Sequence, residues 1–143
     1  MTVARILARK GREVATATAK QTIVEVVAAL AARRIGALVV VEARDRIVGI
    51  VSERDVVRAI AGKGAAALGD PVDTVMTRDV MTCGEAETIN QVMGRMTRGR
   101  FRHLPVATNG RLVGIISIGD VVKARIEEVE REAEEMRAYI ATA

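Results

Sequence analysis

One pattern is written twice in this chain. Residues 49–57 read G-I-V-S-E-R-D-V-V and residues 114–122 read G-I-I-S-I-G-D-V-V, 65 positions apart. A duplication of this kind constrains the fold before any single residue is interpreted, because both copies must be readable as the same supersecondary unit. The repeat reaches upstream: Thr22, Ile23, Val26, Val27 and Leu30 align, at an offset of 66, with Thr88, Ile89, Val92, Met93 and Met96. Arg34, Ile35 and Leu38 likewise meet Arg100, Phe101 and Leu104, and R-E-V-A-T-A from Arg12 meets R-D-V-M-T-C from Arg78. Two units of roughly 60 residues therefore account for almost the whole chain.

Within each copy the element signals run in the same order. A Thr followed three positions later by Glu or Gln, Thr22 with Glu25 and Thr88 with Gln91, is the capping-box pattern that opens a helix. Ile23, Val26, Val27 and Leu30 then fall at i, i+3, i+4 and i+7, one helical face. A β-rich run follows at 37–41 or 103–107, then a polar turn, E-A-R-D-R or T-N-G-R, and a second apolar run at 47–51 or 112–116. A second helix opens at Ser52 or Ser117. With a short strand near Val14 and Val80, each unit reads β-α-β-β-α, an α/β (α+β) fold. The stretch G-K-G-A-A-A-L-G-D-P-V-D breaks the periodicity and reads as the connection. The expected organisation is a first unit at 8–65, a linker at 66–72, a second unit at 73–127 and a C-terminal amphipathic helix at 123–143. In that last helix Val122, Ile126, Val129, Ala133, Met136 and Ile140 are spaced alternately four and three apart, a heptad seam with Glu-rich flanks. It fits either a helix packed on its own domain or a self-association helix.

Composition excludes some classes. No apolar run approaches the roughly 20 residues of a membrane-spanning helix, and M-T-V-A-R-I-L-A-R-K carries no apolar stretch long enough for a signal peptide. A cytoplasmic location is expected, and the single cysteine, Cys83, fits a reducing compartment. The net charge of +4 raises nucleic acid as a partner. Its distribution argues otherwise: the basic residues are mostly scattered among acids, apart from Arg95, Arg98, Arg100, Arg102 and His103. With one Phe and one Tyr, stacking platforms for bases are nearly absent.

The chemistry-bearing motif is G-h-h-S-x-x-D, where h is apolar. Taken alone, Ser52 with Asp55, or Ser117 with Asp120, is a helix cap that places a carboxylate near a helix N-terminus. Two copies in register, each directly after a β-run, suggest more. A carboxylate in the first helical turn can accept hydrogen bonds from vicinal hydroxyls, while free backbone N–H groups there favour phosphate.

On these residues the chain resembles the tandem cystathionine-β-synthase (CBS) domain pair, or Bateman module, over about residues 8–127. S-E-R-D, R-F-R-H-L-P-V and S-I-G-D-V-V-K resemble small stand-alone bacterial CBS-pair proteins in particular. The resemblance implies two units packed through their sheets about a pseudo-twofold axis, with clefts for adenosine compounds: AMP first, then ATP, NAD(H) or S-adenosylmethionine. Carried over residue by residue, one site takes Thr16, Ala17, Ile35, Gly36, Ala37, Leu38, Ser52, Arg54 and Asp55, with Asp55 on the ribose hydroxyls. The other takes Met81, Thr82, Cys83, Phe101, Arg102, His103, Leu104, Ser117, Ile118 and Asp120. Gly36 and Ala37 become Arg102 and His103 in the second copy, so Arg100, Arg102 and His103 are phosphate candidates and the Asp120 site is expected to hold phosphate more strongly. The resemblance further implies a homodimer, regulation of an unidentified effector protein, and no catalysis.

The residues themselves supply little for a reaction. Cys83 and His103 could form a nucleophile pair, but they align with Ala17 and Ala37 in the sister copy. A structural zinc site needs about four Cys or His ligands and two exist. No metal and no enzymatic activity are expected. The competing readings are a basic nucleic-acid-binding module resting on the arginine cluster, and a ligand-free interaction scaffold.

Overall fold

The computed structural model describes residues 1–142. Ala143, the last residue of the expected C-terminal helix, lies outside the described residues. The elements run α1 (Val3–Lys10), β1 (Thr16–Ala17), α2 (Ile23–Arg33), β2 (Ala37–Glu42), β3 (Arg46–Ser52), α3 (Glu53–Lys63), α4 (Ile89–Gly99), β4 (His103–Thr108), β5 (Arg111–Ser117) and α5 (Ile118–Thr142). The strands form one mixed sheet in the order β1-β2-β3-β5-β4. The chain divides into two compact units, and neither is a continuous half of the sequence. One comprises Glu13–Thr82 with Ala107–Val113; the other comprises Met1–Arg12, Cys83–Val106 and the chain from Gly114 onward.

In the first of these, Thr22 opens α2 with a reciprocal capping box to Glu25, as the sequence pattern predicts. The apolar face of α2, Val26 and Leu30, lies in a core with Leu38, Val40 and Val51 of the β2-β3 hairpin. All five residues from Ala37 to Val41 are buried, which is why this strand reads as a continuous apolar run rather than an alternating one. β1 pairs in parallel with β2, Thr16 opposite Val39 and Ala17 opposite Val40. The hairpin tip Ala107–Val113 belongs to this unit, where Arg111 pairs with Arg46 and the Ile47 N–H donates to the Gly110 carbonyl at 3.2 Å. That tip turns through Asn109 and Gly110, both at positive φ, the combination a two-residue hairpin with the right twist requires.

The second unit repeats the scheme: Thr88 and Gln91 cap α4, whose Ile89, Val92 and Met96 are buried together with Leu104, Val106 and Ile116. It also holds an element that the sequence reading does not contain. Val3, Ile6 and Leu7 of α1 are all buried. Leu7 seats on Gly114, where a Cβ would lie 2.8 Å from its Cδ2. Gly49 plays the same part in the other unit: its hypothetical Cβ would meet Met76 Sδ at 2.5 Å. The glycine of the repeated motif is thus a floor against which a segment from outside its own hairpin closes.

Two expectations need correction. The leading strand expected near Val14 lies at Thr16–Ala17. Its counterpart near Val80 is not a strand; it is reduced to one parallel bridge, Cys83 with Val106. The cause is Pro105, which stands where the first copy has Val39 and lacks the N–H a longer ladder needs, although its carbonyl still accepts from the Cys83 N–H at 3.0 Å. Residues 66–72, expected as the linker, lie largely in 3-10 turns with Ala67 and Val72 buried. The C-terminal helix, expected from 123, is continuous with the second helix of its repeat and starts at Ile118.

Replacing Gly114 by valine is expected to cost about 1–3 kcal/mol, because Leu7 is fully enclosed and cannot retreat. A lower urea midpoint with unchanged slope is the expected result; an unchanged midpoint would show that α1 does not seat on this glycine.

Candidate ligand-binding sites

The two S-x-x-D segments fold alike. At α3 the Ser52 N–H and hydroxyl donate to Asp55 Oδ2 at 2.8 and 3.1 Å, and the Asp55 N–H donates back to Ser52 Oγ at 3.4 Å. At α5 the Ser117 N–H donates to Asp120 Oδ2 at 2.8 Å and the Asp120 N–H to Ser117 Oγ at 3.1 Å. Both carboxylates are therefore fixed at a helix start through one oxygen. Each start also bonds the residue that leads into the first strand of its hairpin: the Glu53 N–H donates to the Gly36 carbonyl, ahead of β2, at 3.0 Å, and the Ile118 N–H to the Arg102 carbonyl, ahead of β4, at 2.8 Å. Gly36 and Ala37 are in this way brought beside Ser52, with Ala37 directly opposite it in the ladder, and Arg102 beside Ile118. The same bonds commit N–H groups that the sequence reading leaves free for phosphate.

The remaining expected residues distribute unevenly. Ala17, Ala37 and Leu38 are buried, as are Cys83 and Leu104. Thr16, Ile35 and Arg54 are exposed, and so are Arg100 and Arg102. Met81 and Thr82 fall in the unit formed by Glu13–Thr82, whereas Cys83 and the rest of the second set fall in the other. Phe101 covers Gly99, a Cβ on which would stand 2.6 Å from the Phe101 Cδ1. Within the arginine cluster Arg95 is held by Glu87 at 2.6 Å. Ile35 and Gly36 line an open cleft of about 510 Å³ between α2 and α3, together with Leu30, Arg34, Glu53 and Val57. Asp55 does not line it.

The two carboxylates differ in their electrostatics. Lys10, at the end of α1, donates to Asp120 Oδ2 at 2.7 Å and to the Ile115 carbonyl at 3.0 Å. A cavity of about 150 Å³ lies here, bordered by Lys10, Arg9, Asp120, Lys123 and Glu127. Burial alone would raise the Asp120 pKa, but hydrogen bonds from Lys10 and from the Ser117 backbone outweigh it and hold the carboxyl below its ordinary value. Sequence reasoning missed Lys10. The available signal was a short helix, with Thr2 ahead of it, apolar residues at 3, 6 and 7, basic residues at 9 and 10, and Gly11 at φ 97 closing it.

Cys83 is 3% exposed, and its pKa is pushed up to about 12 by burial and by Glu87, with Arg95 opposing. Such a thiol is a small core residue rather than a nucleophile.

A family model described as CBS domain matches residues 3–62 and again 72–127. A CBS-domain containing protein from Agrobacterium tumefaciens superposes with a TM-score of 0.83 at 52% identity, covering 87% of this chain and 92% of that one. A Pyrobaculum aerophilum CBS domain protein, solved complexed with AMP, gives 0.75 at 30% identity, with 84% and 89% covered. A CBS domain pair solved with 5′-methylthioadenosine and S-adenosyl-L-methionine gives 0.80 at 26% identity, with 90% and 98% covered. The chain spans 63% and 62% of the lengths of two curated relatives, from Acidianus ambivalens and Arabidopsis thaliana, at 36% and 33% identity over 74% and 86% of this chain.

Because the folded Asp120 pKa is depressed, the Lys10 contact stabilises fully above the ordinary value of 3.8 and is lost as pH falls through the lowered one. Lys10→Met is expected to move the Asp120 carboxyl titration, followed by NMR, upward, since burial then dominates. An unmoved titration would mean that Lys10 does not hold the carboxylate in solution.

Proposed function

Since the chain belongs to the CBS domain family, carrying two copies of the domain, we propose that it is a regulatory module that binds an adenosine-type ligand. AMP is the first candidate, with ATP, NAD(H) and S-adenosylmethionine as the others. What supports this is the duplicated helix start, in which Asp55 and Asp120 are each locked through Oδ2 beside the residue that leads into β2 or β4, Gly36 or Arg102. A carboxylate already oriented by its own cap loses little freedom on accepting ribose hydroxyls. The structural neighbours solved with AMP, and with S-adenosylmethionine and methylthioadenosine, support the same ligand class.

The two sites are unequal. Asp55 carries only its own cap, whereas Asp120 also holds the Lys10 ammonium, so a ligand at Asp120 meets a fixed cation while its ribose competes for the carboxylate. Arg100, Arg102, His103 and Lys10 make the Asp120 site the one for a phosphate-bearing ligand. The module works in the cytoplasm without catalysis: ligand favours one of two conformations, and a second copy of the chain or a separate effector responds to the one favoured.

Calorimetric titration with AMP, ATP, NADH and S-adenosylmethionine tests this on the native protein and on Asp55→Ala, Asp120→Ala and Arg102→Ala. At least one compound is expected to bind. Either aspartate change should weaken it roughly tenfold or more, the worth of one lost hydrogen bond to a charged group. Arg102→Ala should weaken AMP more than adenosine, titrated alongside as the phosphate-free control. Silence from all four compounds with a folded protein would overturn the reading.

A further inference from the structure

The faces of α5 are used unequally. Its early turns are held in place by one side: Val121 and Ala124 are buried, Asp120 takes Lys10, and Glu127 and Glu128 are reached by Arg9 and the Met1 ammonium. On a helical wheel these positions cluster together, and the side opposite carries Val122, Ile126, Val129, Ala133, Met136 and Ile140. Five of those six are large apolar residues left 44–67% exposed. Beyond Glu128 nearly every residue is exposed on all sides of the helix. A helical end of this length has little intrinsic stability in water unless its apolar stripe is covered.

The spacing of the stripe and the charges beside it identify the cover. Alternating steps of four and three keep a seam facing one partner helix in a left-handed two-stranded coil. Val122, Val129 and Met136 then take the d positions, and Ile126, Ala133 and Ile140 the a positions. The flanking e and g residues decide orientation. In a parallel, in-register pair Arg125 faces Glu130 of the second copy, and Glu132 faces Arg137, opposite charges in both cases. An antiparallel pair with the same overlap sets Lys123 against Arg137, Glu130 against Glu130 and Glu132 against Glu132, all of like charge. Arg125 already bonds Glu128 at 2.6 Å on its own helix and would exchange that contact; Glu130, Glu132 and Arg137 are exposed and make no described ion pair.

We propose that residues 122–140 of α5 form a parallel two-stranded coiled coil with the same segment of a second copy of this chain, over about 27 Å of helix. This goes beyond the ligand reading, which needs some responding partner but not this surface, and it stands or falls without it.

Sedimentation velocity on the full chain should show a dimer, and Ile126→Glu with Ile140→Glu should give a monomer that keeps its cooperative unfolding transition, since both side chains are exposed, and loses only the helical circular dichroism of the uncovered end of α5. Ile126→Cys, oxidised, should become a disulfide-linked dimer, because only a parallel coil brings position 126 to its own copy; Cys83 is buried and does not compete. A monomeric native protein, a dimer that survives the double glutamate change, or failure of Ile126→Cys to cross-link would each overturn the proposal. None of these readouts depends on nucleotide, so failure here and failure of ligand binding are separable.

Discussion

In each repeat a strand hands over to a helix at a serine, and that junction sets the rest of the architecture. The serine closes a reciprocal box with an aspartate three residues on, while the first helical N–H reaches back to the carbonyl of the residue that leads into the hairpin, Gly36 or Arg102. These bonds fix the angle between hairpin and helix. They also place a charged carboxylate, which would otherwise favour solvent, at a helix start whose partial positive charge stabilises it. The structural role and the proposed binding role of Asp55 and Asp120 are thus compatible: one oxygen serves the cap and the carboxylate keeps further acceptor capacity.

Divergence between the copies acts on what surrounds that junction. In the first, the space beside Gly36 is a broad cleft lined by α2 and α3; in the second, the carboxylate is bound by a lysine contributed by α1. The duplicated motif therefore offers the same carboxylate in two electrostatic settings. Under the proposed function, identical sites would respond to the total amount of one ligand, whereas unequal sites permit response to a ratio of two.

The repeat, both hairpins, the four capped or motif-led helices and the Asn109-Gly110 turn were legible because each is written in local pattern, either a period or a turn dipeptide. What was not legible depends on distant partners. Lys10 and Asp120 are 110 positions apart, and no periodicity in either segment announces the other. Pro105 was visible, but its effect on the Cys83 segment depends on a parallel pairing that alignment with Val39 alone does not reveal. The stretch at 66–72 reads as a linker by composition, but the 3-10 turns it adopts and the burial of Ala67 and Val72 are tertiary facts that composition does not carry.

The seating of Leu7 on Gly114 and of Met76 on Gly49 puts the folding units out of phase with the repeating units. The segment that closes over each hairpin precedes the other copy's strands, so the stretch of gene that was doubled is not the stretch of chain that folds together. A half cut at the sequence boundary would carry a closing helix with no floor and a floor with no closing segment. Neither copy therefore closes its own hairpin, and each borrows its lid from the segment that leads the other.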